Sequence, residues 1–172
     1  MELKEIVKAL HIAIGNEKGA CKRYLKFARH TKDERGRLVL MNLALDEMGH
    51  LEKLEKQLYS MLEGKPWVLP PSEEASHAVV ETSDPEVDVL NVDIETLDDQ
   101  KALQVALEYE ILAHKFYMSQ SRRSDEEELK NLFLSLAAEE ENHIKIVQAE
   151  IDSIAENGFW FDYQEFSVEM ER

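Results

Sequence analysis

The 172-residue chain predicts an all-α fold, a four-helix bundle made of two helical hairpins joined by a long crossover. Three observations predict it. Four long stretches carry apolar residues at helical period, all four prolines fall in one aperiodic segment between the second and third stretches, and the second pair of stretches repeats the first at a fixed offset. Composition agrees, because 44% hydrophobic and 33% charged residues with only six glycines suit a helical domain with a core of its own.

The first helix is expected over about residues 2–31, where Ile6, Ala9, Leu10, Ala13, Ala20, Tyr24 and Phe27 form one stripe. After the polar turn TKDERG, the second runs through Leu38, Leu40, Leu43, Leu51, Leu54 and Leu58 to Leu62, with Gly64 and Pro66 as stop signals. Residues of about 65–95 hold the prolines and are too long for a simple hairpin, so they read as the crossover. Thr96 with Asp99 resembles a capping box that opens the third helix, and Ser124 with Glu127 one that opens the fourth, which Gly158 ends. The bundle then covers residues 1–157. Residues 158–172 form an aromatic and acidic tail, in which Phe159, Trp160, Phe161, Tyr163 and Phe166 are expected to pack over the bundle or a neighbouring subunit.

A formal charge of −16, from 20 basic and 36 acidic residues, repels phosphate backbones and anionic lipid. No nucleic acid and no membrane is therefore expected as a partner, whereas small cations are. Cys21 is the only cysteine, which excludes an internal disulfide, a thiolate zinc site and a rubredoxin-like iron centre, and suits a reducing, cytoplasmic compartment. The start MELKEIVKAL is amphipathic and no run approaches ~18 apolar residues, so neither export nor membrane insertion is expected.

An offset of 93 residues lays Ala9, Leu10, Ala13, Glu17, Ala20, Lys22 and Tyr24 on Ala102, Leu103, Ala106, Glu110, Ala113, Lys115 and Tyr117. The same offset lays Leu43, Ala44, Asp46, Glu47 and His50 on Leu136, Ala137, Glu139, Glu140 and His143. One hairpin is written twice, a pseudo-twofold repeat. At 3.6 residues per turn, Glu47 and His50 share a face, as do Glu140 and His143. Glu17 and Glu110 sit among small alanines on the inward face of their own helices. Four buried carboxylates would each cost several kcal/mol if left ionised and unpaired, so protons, basic partners or bound cations must neutralise them. No inward Arg or Lys is evident in the pattern. Two divalent ions balance four glutamates, and two histidines give each ion a nitrogen ligand. That mixed oxygen and nitrogen set suits iron or manganese, with zinc the less natural substitute.

Glu-x-x-His arises by chance in acidic helical chains, and a third copy, Glu74 with His77, lies in the crossover. It has no glutamate 30 residues upstream, where Ala44 stands, and no copy at the offset, so it reads as a solvated loop. The doubled six-residue arrangement is what separates metal binding from salt bridging. Tyr24 and Tyr117 read either as core aromatics or as supports for the ligands. Asp46 and Glu139 read either as acceptors for the free ring N–H of the opposite half's histidine or as solvated acids. His11, His30, His77, His114 and Cys21 have no matching copies and read as structural or surface residues.

With Glu17, Glu47-x-x-His50, Glu110 and Glu140-x-x-His143 in place, the chain resembles the rubrerythrin-like branch of the ferritin-like diiron carboxylate proteins over essentially residues 1–157. The resemblance implies two iron ions on Glu17, Glu47, His50, Glu110, Glu140 and His143, with Glu47 and Glu140 bridging and Tyr24 and Tyr117 steadying the ligands. It implies a non-haem diiron oxidoreductase that reduces peroxide or oxidises ferrous iron with dioxygen, and a homodimer. Two departures stand out. Rubrerythrins proper append a four-cysteine rubredoxin domain, which one cysteine cannot build, so electrons would come from an external donor. They also carry a further glutamate one turn after the third-helix ligand, where this chain has Ala113. A non-enzymatic iron-binding or storage protein is the alternative, and a purely structural metal a third.

Overall fold

In the computed structural model, residues 3–62 and 97–161 are described. They form α1 (Leu3–His30), α2 (Glu34–Met61), α3 (Asp99–Arg123) and α4 (Glu127–Asn157), and among the described residues there is no strand. The crossover of about 65–95, its stop signals Gly64 and Pro66, and residues 162–172 lie outside the described residues. α1 pairs with α2 and α3 with α4 as two hairpins, which meet mainly through α1 against α3 and α2 against α4.

Local chemistry sets the helix ends, in part differently from expectation. Asp33 caps α2, its side chain accepting from the Arg35 N–H at 2.9 Å, so an orphan donor of the first turn is satisfied. Thr96, expected to open α3 in a capping box with Asp99, lies outside the described residues; Asp98 is the N-cap and accepts from the Lys101 N–H at 2.8 Å. Asp99 is engaged elsewhere: Thr31 Oγ1 donates to one of its oxygens at 3.0 Å and Trp160 Nε1 to the other at 3.1 Å. Nor does Ser124 open α4. Its Oγ donates to the Gln120 carbonyl at 2.8 Å and closes α3, while Glu126 stands at the α4 N-cap without a side-chain cap. Gly158 ends α4 as expected, at φ 74°, the left-handed region a side chain disfavours.

Two apolar clusters fill the bundle. One joins Ile6, Leu10, Leu54, Leu58, Leu129 and Phe133, and the other Phe27, Leu40, Leu43, Leu103, Val147 and Ile151. In antiparallel hairpins these numbers place the clusters toward opposite ends, with residues near 17, 47, 110 and 140 between them. Leu38, expected on the inner stripe, instead faces outward with Met41, Leu45 and Met48. Of the tail aromatics, Trp160 is buried and lies against Gly36, where a Cβ would overlap the indole, whereas Phe159 is exposed. The Phe161 N–H donates to buried Glu150 at 2.8 Å. The start of the tail is thus stapled to the bundle end where α1 turns into α2.

Candidate metal centre

Each of the four helices sends at least one ligand-type side chain into the layer between the clusters. Glu17 comes from α1, Glu47 and His50 from α2, Glu110 from α3, and Glu140 and His143 from α4; all six are at most 3% exposed. The Glu-x-x-His spacing puts each carboxylate one helical turn from its imidazole, and the hairpins oppose the two motifs. The six side chains form two overlapping groups, Glu17, Glu47, His50 and Glu140, and Glu47, Glu110, Glu140 and His143. Within each group one ligand atom per residue lies within 4.8 Å of the others, and Glu47 and Glu140 belong to both.

Both imidazoles present Nδ1 to the carboxylates. His50 Nδ1 lies 3.4 Å from Glu17, 3.0 Å from Glu47 and 3.3 Å from Glu140. His143 Nδ1 lies 3.4 Å from Glu47, 3.5 Å from Glu110 and 3.3 Å from Glu140. The rings stack with centroids 5.3 Å apart. Each Nε2 points outward to the opposite half, His50 to Glu139 at 3.1 Å and His143 to Asp46 at 3.5 Å. Glu139 is therefore the ring acceptor for His50, whereas Asp46 faces His143 at ion-pair distance without a hydrogen bond and is 59% exposed. The tyrosines also cross between halves: Tyr24 OH donates to Glu110 and Tyr117 OH to Glu17. Each tyrosine thereby fixes one oxygen of a carboxylate and leaves the other facing the centre.

Those remaining oxygens are where the protein's own bonding runs out. Buried Glu17 Oε2, Glu47 Oε1, Glu110 Oε2, both oxygens of Glu140 and His143 Nδ1 have no hydrogen-bond partner. A buried polar atom without a partner costs ~1–3 kcal/mol, so six clustered in one layer require something besides protein to meet them. Protons can do so in the metal-free protein. Burial pushes the Glu17 carboxyl up to about 8 and Glu110 up to about 7, which His50 and His143 only partly oppose. Burial disfavours charge on His50, but Glu140, Glu17 and Glu47 outweigh it and raise the imidazole to about 12. His143 rises likewise among Glu110, Glu140 and Glu47. Burial also opposes ionisation of Glu140, yet His143 and His50 hold it below its ordinary value. Tyr24 and Tyr117 are pushed far above theirs, first by burial and then by the facing carboxylates, so both stay neutral donors. Three carboxylates and one imidazole around a point, with two carboxylates shared, fit a pair of first-row divalent ions of the iron or manganese type.

The rubrerythrin family model matches residues 101–164, all but the first two residues of the second hairpin. Residues 101–164 thus carry a rubrerythrin domain match, and the four helices have the arrangement of ferritin-like four-helix bundles. A hypothetical protein from Pyrococcus furiosus is similar in structure at 25% identity, over 90% of this chain and 94% of that one, with a TM-score of 0.67. A Rhodobacter capsulatus bacterioferritin, described with a metal-free dinuclear site and haem iron, is similar at 21% identity over 90% of this chain and 88% of its own, also with a TM-score of 0.67. No curated protein matches. The sequence has no set of rubredoxin cysteines, since Cys21 is its one cysteine and is only partly buried. Ala113, where the further glutamate of rubrerythrins would stand, packs against the first apolar cluster.

Two features, one behind the site and one at the bundle end, escaped the sequence reading. Lys53 donates to both oxygens of Glu139, at 2.7 and 2.6 Å, and Ser135 to one at 3.0 Å. Burial opposes ionisation of Glu139, but these bonds prevail and hold its carboxyl low. The only available signal was position, Lys53 lying one turn beyond His50. Buried Glu150 was missed because its counterpart at the 93-residue offset is Gln57, so the repeat is silent there.

Proposed function

We propose that this rubrerythrin-like chain is a non-haem diiron oxidoreductase, reducing peroxide or oxidising ferrous iron with dioxygen and drawing electrons from an external donor. The observation that carries the reading is the doubled ligand group sharing Glu47 and Glu140, lined by carboxylate oxygens that no protein donor meets. Glu17, Glu47, His50, Glu110, Glu140 and His143 would hold two ions, with Mn or Zn as substitutes for Fe. When bound, an iron pair supplies the two-electron redox change that peroxide reduction or oxygen-dependent oxidation requires. The residues do the rest. Glu47 and Glu140 can serve both positions, the tyrosines keep Glu110 and Glu17 aimed inward, and the apolar clusters on either side exclude bulk water.

Reconstitution with ferrous iron under anaerobic conditions, followed by elemental analysis and mixing with peroxide, tests the proposal. Two irons per chain, oxidation of the centre and loss of peroxide are expected. A colourless mixture with peroxide intact would sink it. The charge of −16 favours a second reading, a non-enzymatic iron-binding or storage protein, for which uptake would exceed two ions per chain. Stabilisation by zinc equal to that by iron, without redox turnover, would point to a structural metal.

The homodimer implied by the resemblance has a candidate face. Leu38, Met41, Leu45 and Met48 expose one apolar stripe along α2. An antiparallel pairing of two α2 helices about Leu45 sets Glu34 opposite Lys56 of the second copy, a complementary contact repeated by symmetry. Sedimentation of Leu45→Glu should show a monomer where the native chain is dimeric. Among the described residues no helix is long and apolar enough to cross a membrane, and a reducing, cytoplasmic compartment suits the free thiol of Cys21.

A further inference from the structure

Resting on the metal reading above, we infer that the two half-sites hold their ions unequally. The ion at Glu17, Glu47, His50 and Glu140 is retained, and the ion at Glu47, Glu110, Glu140 and His143 is the exchangeable one. The juxtaposition responsible lies behind the histidines, where the pseudo-twofold repeat breaks.

An imidazole that binds through Nδ1 carries its hydrogen on Nε2, and the acceptor there fixes both the tautomer and the ring orientation. Behind His50 that acceptor is Glu139, 3.1 Å away, itself held by Lys53 on both oxygens and by Ser135 on one. Behind His143 the facing acid is Asp46, one methylene shorter, 59% exposed and 3.5 Å away, at ion-pair distance but in no hydrogen bond. The repeat puts Ile146 where Lys53 stands and Asn42 where Ser135 stands, so neither the cation nor the hydroxyl is duplicated. Among the described residues, no lysine, arginine or hydroxyl side chain is bonded to Asp46. The inner atoms show the same inequality. His50 Nδ1 sits 3.0 Å from Glu47 in hydrogen-bonding geometry, whereas His143 Nδ1 has no hydrogen-bond partner.

Two effects of Lys53 oppose each other. Its charge draws electron density from Glu139 and so makes the His50 nitrogen slightly less basic, while its bonds pin the carboxylate in place. Lys53 and Glu139 are 44% and 35% exposed, so water screens the charge effect. The geometric effect is not screened, because a ring fixed before the ion arrives loses less freedom on binding. Pinning prevails. Loss of such an outer partner typically lowers metal affinity ten- to a hundredfold.

Anaerobic titration with cobalt(II), followed by calorimetry and visible absorption, tests the assignment. The native chain should bind two ions in steps that differ by about tenfold or more in affinity. Lys53→Met should weaken the tighter step by about tenfold and spare the looser one, Ser135→Ala should act in the same direction more mildly, and Lys53→Arg should restore the tighter step. Asp46→Asn should leave the tighter step untouched. Helical circular dichroism checks that each variant is folded. Two equal steps in the native chain, or a Lys53→Met change confined to the looser step, overturn the inequality alone. No cobalt uptake by the native chain overturns the metal reading and the inequality with it.

Discussion

Raising the pH of the metal-free protein should destabilise it, the reverse of what a chain rich in ordinary paired carboxylates does. The perturbation is a change from about pH 6 to about pH 8 in the presence of a chelator. Burial raises Glu17 from its ordinary 4.5 to about 8, so across this window the folded chain holds a proton that the unfolded chain has released. Stability then falls by roughly 1 kcal/mol per pH unit, or about 2 kcal/mol over the window from Glu17 alone. Glu110, raised to about 7, adds in the same direction over the lower half. His50, raised from 6.5 to about 12, contributes stability that is fully present below 6.5 and is lost as pH climbs toward its folded value. Glu140 acts oppositely, but its depressed carboxyl matters only as pH falls below 4.5. For a chain of this size about 2 kcal/mol corresponds to a melting temperature lower by roughly 4–8 °C. Scanning calorimetry or a circular-dichroism melt reads it directly. The metal-loaded protein should show no such drop, because the ions displace those protons. A metal-free melting temperature that is level or rising over the window would refute the protonated, cation-substituting centre.

Three further outcomes are expected. Glu47→Gln removes charge from a carboxylate common to both groups and should cut uptake from two ions to one or none by elemental analysis, whereas two retained ions would show that Glu47 is not shared. Tyr117→Phe strips the donor from a Glu17 oxygen buried at 2% exposure and should cost the metal-free protein ~1–3 kcal/mol in a denaturant titration, with Tyr24→Phe doing the same through Glu110. Gly36→Ala places a Cβ inside the Trp160 indole. It should cost ~1–3 kcal/mol and shift Trp160 emission to the red in a Trp67→Phe background, while an unchanged spectrum would mean that the tail start is not seated there.

How far the centre was legible from the sequence depended on periodicity. Glu17, Glu110 and the two Glu-x-x-His pairs could be assigned to one inward layer because helical spacing fixes which side chains share a face, and the 93-residue repeat separated them from the chance pair Glu74 and His77. The helix ends were less legible. Neither Asp99 nor Ser124 plays the capping part that its spacing suggests, one because of distant residues and one because of the turn before it. Asp99 was taken by Thr31 and Trp160, and Ser124 by the last turn of α3. Leu38 matched the apolar period yet faces outward, since period alone cannot mark where a stripe ends.

The sequence by itself determined the helical architecture, the doubled hairpin and the six residues that meet in its interior, because each follows from short-range geometry along one helix. Only the tertiary structure decided which tyrosine steadies which glutamate, that Nδ1 faces inward, and that Lys53 and Ser135 hold Glu139 while, among the described residues, no such pair holds Asp46. Those contacts join residues 86 to 100 positions apart for Tyr24 with Glu110, Lys53 with Glu139 and Tyr117 with Glu17. Their partners are chosen by how two hairpins dock, and no spacing within a single helix encodes that.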